Sequence, residues 1–481
     1  MDGFFGIQIE KGSKIPLYQQ LADAICLLIE NGTLPPNSKL PPIRTMAAKL
    51  QVNNVTVVTA YKYLENKKVV YSQVGSGTYV SPIPVNQIPE PVVAENVKVF
   101  EERLVMENAI NFVSTSLPHS LFPVKEFKEA FNRVLEREQG GAFQYQQSMG
   151  YMPLRQILCE YLKSYQIHTN MEQVQILSGA QQGIDIISKA LIRYGDVIFV
   201  EKPTFYGAAG AFLSHGGKIV EVDMQEDGMD MDLLENLMKV YHPRFLYMMA
   251  HFQTPTGVSY SLEKKRKLLD LAEQYDAYVV EDDNLYDFNY SKTPILPLKA
   301  LDYKNRVIYI KSFSKILMPG LRIGFMVIPK KILHHVMAAK YTTDISTSGF
   351  LQKALDYYLR EYGWQEHTKQ MCSYGGQKYK KALRYADVYL KGKVSYHRPQ
   401  GGISLWMGLP PSLPAEELCS RLLEKNVILS PGSQFYMGGE ESHHVRLCFT
   451  NVTDDAIQVG MKRMGECIDS MMAESEKNGK I

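Results

Sequence analysis

From about residue 109 onward, short continuous apolar runs alternate with stretches that have helical spacing. The runs predicted to be strands are Val174–Leu177, Val197–Val200, Phe245–Met249, Tyr278–Val280, Val307–Ile310 and Phe325–Ile328. Apolar strands that alternate with helices are typical of a mostly parallel sheet covered on both faces. Ligands of such sheets gather beyond the carboxyl ends of the strands, so we expect the polar motifs found there to form a site.

Residues 15–80 have a different pattern, in which apolar positions recur at steps of three and four. Helices are predicted over 16–29 and 41–50, and a tight turn at 52–54 leads into a third helix. The apolar face of that third helix consists of Val57, Ala60, Tyr61 and Leu64. Two short helices around a tight turn, the second with a polar outer face, indicate a helix-turn-helix. The glycine-rich stretch 71–80 predicts a hairpin whose tip forms a wing.

Between these regions, residues 81–108 have four prolines in their first eleven positions, followed by a polar, charged stretch. Proline favours extended backbone, which predicts a partly stiff linker. Fully extended, the linker would span roughly 90 Å at about 3.3 Å per residue. The predicted domains are therefore 1–80, a linker over 81–108, and 109–481.

The overall composition excludes several classes of protein. With 481 residues, 45% hydrophobic and 22% charged, the chain suits two or three globular domains. The formal net charge is +2, but residues 1–80 hold eight Lys/Arg against five Asp/Glu, a modest bias compatible with DNA contact. No run approaches a membrane span and the N-terminus lacks a signal-peptide pattern, so a cytoplasmic protein is expected. The six cysteines form no CxxC pair, which favours reduced thiols and no metal site.

Lys315 has the most informative surroundings in the chain. It follows the apolar strand 307–310 and lies near Ser312, Ser314 and Arg322. Low polarity depresses the pKa of a lysine and makes its amine nucleophilic, while hydroxyls and a guanidinium can hold a phosphate. This pattern favours a lysine that forms a Schiff base with pyridoxal 5'-phosphate. The string S-F-S-K-I-L-M-P-G-L-R resembles the lysine motif of fold-type I aminotransferases.

The resemblance implies further cofactor contacts. Asp282, in Glu-Asp-Asp after a strand, would face the pyridinium nitrogen and keep it protonated, with Asp283 as the alternative. Ala180 and Gln181 open a helix after a strand, where backbone N–H groups and the helix dipole suit a phosphate. Phe205 would stack on the cofactor ring.

Four more positions within residues 109–481 are informative. Arg446 resembles the arginine that clamps the α-carboxylate of an amino acid. Tyr145 matches the tyrosine that reaches the phosphate of the neighbouring subunit's cofactor. Thr254 stands where aminotransferases have an asparagine that bonds the phenolic oxygen of the cofactor, and Leu285 replaces a tyrosine with a similar role. Thr254 or Gln253 would substitute only imperfectly, so cofactor binding is expected to survive while fast, complete transamination stays an open question.

Residues 15–80 resemble the winged helix of the GntR family, through L-P-x-x-R, T-V-x-x-A-Y-x-x-L and G-S-G-T-Y-V. The candidate DNA contacts are Arg44, Asn53, Asn54, Thr56, Thr59, Lys62, Gly75, Ser76 and Gly77. GntR proteins usually have arginines where this chain has Asn54 and Thr59, which predicts weak affinity of each winged-helix domain for DNA. Asn53 could instead serve only as a helix N-cap.

Together, the winged helix, the linker and the aminotransferase-like region resemble the MocR/GabR-type subfamily of GntR regulators. The implied α/β fold is a winged helix-turn-helix followed by a fold-type I domain, with a mostly parallel seven-stranded sheet between helices and a smaller C-terminal α+β subdomain. The resemblance also implies a domain-swapped, head-to-tail homodimer that binds a double-stranded DNA operator. An amino-acid-like effector would displace Lys315 to form an external aldimine.

Two other interpretations remain open from the sequence. In one, the chain is a working class I/II aminotransferase with an accessory DNA-binding head, since the lysine, aspartate and arginine positions are all occupied. In the other, pyridoxal phosphate itself is the effector.

Overall fold

The computed structural model describes residues 9, 16–30, 33–34, 38–67, 69–73, 76–81, 109–291, 293–437 and 442–477. The chain divides into two compact units, Met1–Pro91 and Val92–Ile481, called here the head and the body. The predicted linker lies outside the described residues except for Ser81, and so does Gly75 at the predicted wing tip.

The head has the predicted helices and hairpin. Its elements are α1 (Leu17–Glu30), α2 (Ile43–Leu50), α3 (Asn54–Asn66), β1 (Val70–Gln73) and β2 (Gly77–Val80). Helix α2 ends at Gln51 in the left-handed region, with φ of 51°, and α3 begins after Asn53, whose side chain accepts a hydrogen bond from the Val55 N–H. The predicted apolar face of α3 is buried in the head core.

The wing is an antiparallel hairpin. Strands β1 and β2 pair from Val70 opposite Val80 to Gln73 opposite Gly77. Lys39 forms a further antiparallel bridge with Tyr79, and the rings of Tyr71 and Tyr79 stack with centroids 5.7 Å apart.

The body alternates helices and strands along the chain. Its helices are α4 (Val124–Glu138), α5 (Met152–Lys163), α6 (Ala180–Leu191), α7 (Tyr206–Ser214), α8 (Met231–Tyr241), α9 (Leu262–Gln274), α10 (Leu333–Asp344), α11 (Gly349–Glu361), α12 (Trp364–Tyr389), α13 (Ala415–Glu424) and α14 (Asp454–Lys477). Its strands are β3 (Ile110–Asn111), β4 (Val174–Leu177), β5 (Val197–Lys202), β6 (Lys218–Gln225), β7 (Gly228–Met229), β8 (Phe245–Met248), β9 (Tyr278–Asp282), β10 (Val307–Ser312), β11 (Gly324–Val327), β12 (Ser395–Tyr396), β13 (Ser404–Gly408), β14 (Val427–Ile428), β15 (Ser430–Pro431) and β16 (His444–Cys448).

The large sheet has the order β4-β11-β10-β9-β8-β5-β6-β7. Neighbours from β10 to β6 are parallel, whereas β11 runs antiparallel to both of its neighbours. This confirms the predicted mostly parallel sheet of seven strands, to which the two-residue β7 adds an eighth at the edge. The apolar runs are buried on both faces because helices cover both.

A smaller sheet, β12-β13-β16-β15, packs with α12, α13 and α14 as the C-terminal α+β subdomain. The short strand β3 pairs in parallel with β14, and Phe112 just after it is fully buried in the same apolar cluster. The first described strand of the body is therefore part of this subdomain. No helix among the described residues is long and apolar enough to cross a membrane.

Candidate functional site

The predicted lysine and aspartate lie at the carboxyl ends of neighbouring parallel strands. Asp282 ends β9, opposite Ile310 of β10, and Lys315 follows β10 after a short turn. Parallel strands bring their carboxyl ends to one edge of the sheet, which is why residues 33 positions apart in the sequence share one site.

Asp282 and Asp283 point to opposite sides of the sheet because side chains alternate along a strand. Asp282 accepts hydrogen bonds from the Tyr247 hydroxyl (2.7 Å) and from Asn284 Nδ2 (2.6 Å). Burial raises its pKa to about 6, although the Lys315 charge acts in the opposite direction. Asp283 instead accepts from the Tyr309 hydroxyl at 2.7 Å and faces the buried Lys311. Asp282 is thus the carboxylate on the Lys315 side.

Lys315 has the environment of a nucleophilic amine. Burial lowers its pKa to about 8, and the positive charges of Arg446 and Arg322 act in the same direction. Its Nζ donates a hydrogen bond to the Thr115 hydroxyl. At neutral to mildly alkaline pH, a substantial share of this amine is neutral and able to attack a carbonyl.

The hydroxyls of Ser312 and Ser314 lie close to one another and to Arg322. Ser312 Oγ donates to Ser314 Oγ at 2.9 Å, and Arg322 Nη1 lies 3.5 Å from Ser314 Oγ. Arg322 Nη2 donates to the Ser178 carbonyl at 3.1 Å. Gly179 has φ of +98°, and a Cβ there would lie 2.6 Å from Arg322 Nη2, so glycine permits this close approach.

Helix α6 begins beside the Arg322 guanidinium. Its first residue is Ala180, directly after Gly179, so its first N–H groups and the positive end of its dipole lie near Arg322. Gln181 Nε2 donates to the Gly207 carbonyl at 2.8 Å. Phe205 is half-buried and packs against Gly207, where a Cβ would come within 2.6 Å of its ring.

The structure distinguishes the two possible substitutes for the asparagine, Gln253 and Thr254. The Gln253 amide is fully buried and donates to Glu201 (3.0 Å) and to the Pro203 carbonyl (2.7 Å). Its N–H groups are therefore already hydrogen-bonded within the protein. Thr254 is half-buried, and its N–H contacts Met249 Sδ at 3.3 Å. Leu285 is buried in an apolar cluster. Of Gln253 and Thr254, only Thr254 retains a side chain not tied up in these contacts.

Arg446 lies on β16, on the same face as Cys448. Its Nη2 donates to Ser430 Oγ at 3.2 Å and lies 3.5 Å from the Val113 carbonyl, and its guanidinium stands 4.9 Å over the Phe435 ring. Its Nε is buried without a hydrogen-bond partner among the described residues. A buried donor left unpaired is costly, and a carboxylate arriving here would satisfy it.

Tyr145 does not join this site within its own chain. Its side chain is 85% exposed and lines a separate cavity of about 210 Å³ with residues 346–350. Phe143, beside it, is 70% exposed.

Most of the candidate DNA contacts that the structure describes are exposed. Asn53, Asn54, Thr59 and Lys62 are exposed, as is Arg44 on α2, whereas Thr56 is half-buried. The Asn53 side chain caps α3 and Thr59 Oγ1 donates to the Val55 carbonyl, so both side chains already form hydrogen bonds with the backbone of α3. In the wing, Ser76 Oγ lies 2.5 Å from the Tyr79 hydroxyl, and Gly77 has φ of +132°.

Three residues at the body site were not found from the sequence: Thr115, Tyr247 and Asn284. Thr115 lies 200 residues before its lysine partner and Tyr247 lies 35 residues before Asp282. Neither belongs to a motif with fixed spacing. Asn284 is two residues from Asp282, and its proximity was the one available signal.

Comparisons with known proteins match both units. The model described as bacterial regulatory proteins of the gntR family matches residues 17–80, and the model for aminotransferase class I and II matches residues 107–464. The uncharacterized HTH-type transcriptional regulator YdfD of Bacillus subtilis is 28% identical across 96% of this chain and 98% of its own. The probable rhizopine catabolism regulatory protein MocR of Rhizobium meliloti is 25% identical across 95% and 94%.

Aminotransferases match about three quarters of the chain. The 2-aminoadipate transaminase of Thermus thermophilus is 33% identical across 73% of this chain and 88% of its own. The crystal structure of LysN, an α-aminoadipate aminotransferase from the same species, superposes with a TM-score of 0.73 at 33% identity, covering 78% of this chain and 95% of that one. That structure contains N-(5'-phosphopyridoxyl)-L-leucine.

Proposed function

Since the chain belongs to the class I and II aminotransferase family and has a gntR-family head, the combination of the MocR-type regulators, we propose that its body senses an amino-acid-type effector for a DNA-binding head. It is a DNA-binding transcription regulator by this combination, which the HTH-type regulators share with it along nearly their whole length. What we propose is that an effector binds the body and that its binding changes the affinity of the head for DNA.

The proposed cofactor is pyridoxal 5'-phosphate, and the residues present fit it. Ser314, Arg322 and the start of α6 make a cup of hydrogen-bond donors for a phosphate. Asp282 is a buried carboxylate on the same side as Lys315, which suits a protonated ring nitrogen. Phe205 provides an aromatic face. The bound leucine adduct in the similar enzyme LysN supports the same assignment.

When bound, pyridoxal phosphate supplies an aldehyde that condenses with primary amines and a ring that accepts electrons. The residues of this chain would orient such a ligand from both ends. Arg322 and Ser314 would hold the phosphate, and Arg446 would hold the α-carboxylate of an amino acid with its unpaired Nε. Lys315 provides the amine that the amino group of the effector competes with.

We also propose that the protein is a homodimer. Phe143 and Tyr145 are large side chains exposed beside one another on the body, at 70% and 85%. Adjacent exposed aromatic residues are typical of a surface that another chain covers. The role expected for Tyr145 requires a second body beside the first.

The single observation that carries the proposal is the presence, in one chain, of a gntR-family head and a body that keeps Lys315, Asp282, Arg322 and Arg446 together. The decisive experiment measures the binding of the full-length protein to DNA from just upstream of its own gene. Apo-protein, protein loaded with pyridoxal phosphate, and loaded protein with each of the standard amino acids would be compared, with Lys315→Ala as control.

A specific complex whose affinity shifts with an amino acid, and no longer shifts in Lys315→Ala, is the expected result. A shift caused by pyridoxal phosphate alone would make the cofactor itself the effector. Absence of specific binding together with rapid conversion of an amino acid and a keto acid would overturn the proposal in favour of a working aminotransferase.

A further inference from the structure

Thr115 contacts the Lys315 amine and belongs to none of the motifs of the cofactor site. It lies in a short segment between β3 and α4, and its hydroxyl accepts a hydrogen bond from Lys315 Nζ. The segment passes between the two ends of the site, because the neighbouring Val113 carbonyl is a partner of Arg446.

The backbone around Thr115 is held independently of the lysine. Asn111 Oδ1 accepts from the N–H groups of Val113 (2.9 Å) and Ser114 (3.2 Å). On the other side of the segment, Asn451 Nδ2 donates to Ser114 Oγ at 3.1 Å. Thr450 Oγ1 donates to the Ser116 carbonyl at 3.3 Å. The hydrogen bonds of the neighbouring residues therefore fix the position of the Thr115 hydroxyl, and the flexible side chain of Lys315 extends to it.

A hydroxyl can pair with an amine in both protonation states. It accepts an N–H from the charged form, which has no lone pair, and stabilises that form. It can donate its own hydrogen to the neutral form, and then it occupies the nitrogen lone pair. Both arrangements make the amine less nucleophilic, and the observed bond, in which the amine donates, corresponds to the first. This matters for Lys315, whose pKa of about 8 makes both forms accessible near neutral pH.

We propose that Thr115 is a positioning residue that holds the Lys315 amine whenever it is not attached to the cofactor, and favours the charged form, which has no lone pair. An amine held in this way is slower to take a proton from a bound amino acid and slower to displace that amino acid. The body would consequently retain its effector and convert little of it. The inference rests on the proposed function in taking Lys315 as the cofactor lysine.

The test uses full-length protein without cofactor, effector or DNA. Acetic anhydride labels lysines at limiting concentration, and peptide mass spectrometry gives the labelling of Lys315 relative to exposed lysines such as Lys62. Thr115→Val removes the hydroxyl at nearly constant shape, Thr115→Ala removes it with less bulk, and Thr115→Ser restores it. Thr450→Val removes another buried hydroxyl hydrogen bond of the same segment and is the matched control.

We expect relative labelling of Lys315 to rise between about two- and tenfold in Thr115→Val and Thr115→Ala, the range that one net hydrogen bond contributes. Thr115→Ser and Thr450→Val should stay near the wild-type value. The rate at which the visible Schiff-base absorbance develops after mixing with pyridoxal phosphate should follow the same order.

Unchanged or reduced labelling in both hydroxyl-free variants would overturn the inference, and so would an equal increase in Thr450→Val. Either result leaves the regulator proposal intact, because neither DNA nor effector is present. Failure of wild-type Lys315 to react with pyridoxal phosphate would instead contradict the proposed function, whatever the labelling shows.

Discussion

The Tyr247 hydroxyl donates a 2.7 Å hydrogen bond to Asp282 Oδ2, between the ends of two strands of the large sheet. Asn284 Nδ2 donates to the other oxygen at 2.6 Å. Both bonds favour the charged carboxylate, yet burial outweighs them and raises the pKa of Asp282 to about 6. In the protein without a ligand, this buried charge is therefore a net destabilising feature, and a cation placed opposite it would relieve the cost.

The first prediction concerns stability against pH in the cofactor-free protein. The pKa of Asp282 is near 3.8 when unfolded and about 6 when folded, so the folded state holds the proton longer. Its contribution to stability accordingly falls as pH rises from about 4 to 6 and is constant above that. Asparagine at position 282 carries no charge. As the pH rises through this window, Asp282→Asn should therefore become more stable relative to the wild type, by up to roughly 3 kcal/mol for a pKa difference of this size.

Thermal unfolding of both proteins at a series of pH values measures this gain. Asp232→Asn is the matched control, because its side chain is 93% exposed and experiences no comparable burial. A stability difference between wild type and Asp282→Asn that does not change between pH 4 and 6 would refute the assignment.

The second prediction concerns effector binding. Arg446→Ala removes a buried guanidinium whose Nε is unpaired among the described residues, and a bound carboxylate would lose its partner. The affinity for an amino acid should fall by about 2–5 kcal/mol, the usual loss on truncating a buried charged partner. Calorimetric titration of the loaded protein measures it, and Arg398→Ala, at an exposed Asp387 ion pair, should bind as the wild type does. Equal losses in both variants would contradict the clamp role.

The third prediction separates phosphate contact from base reading in the head. Arg44 is exposed on α2, and if it contacts a phosphate then Arg44→Ala should weaken binding to all sequences. The slope of log affinity against log salt should fall by about 0.9 for each phosphate that the head no longer neutralises. Asn54→Ala should instead weaken binding by about 1–3 kcal/mol only when a particular base is present.

Anisotropy titrations at several salt concentrations, with the selected operator and with random DNA, distinguish the two effects. Lys391→Ala, an exposed lysine of the body, is the control and should leave the slope unchanged. If the slope is the same in Arg44→Ala as in the wild type, then Arg44 faces solvent and contacts no phosphate.

The fourth prediction tests the independence of the two units. Leu64 of α3 is fully buried in the head core, and Leu64→Ala should cost about 2–5 kcal/mol of head stability. DNA binding should then be lost near physiological temperature while the body still takes up pyridoxal phosphate. Asn66→Ala, at an exposed position of the same helix, should preserve both. Loss of cofactor uptake in Leu64→Ala would show that the body depends on a folded head.

The site residues that the sequence predicted are those that lie close along the chain to a recognisable apolar strand. Asp282 and Lys315 lie at or just after the carboxyl ends of apolar strands, which meet at one edge of a parallel sheet, and Arg322 lies in the connection from β10 to β11. Gln253 shows the limit of such reasoning. From its position it was a possible substitute for the missing asparagine, but its amide is committed to the buried Glu201, whose pKa burial raises to about 8.

By itself, the sequence determined the periodicity of the head, the alternating strands of the body and the motifs at the strand ends, because each depends on spacing within a few residues. Only the tertiary structure decided that Thr115 contacts Lys315, that Tyr247 supports Asp282 and that Asp282 rather than Asp283 faces the lysine. These relationships depend on the order of strands in the sheet and on the path of the segment after β3. Residues that meet in this way have no fixed separation along the chain, so no local pattern records them.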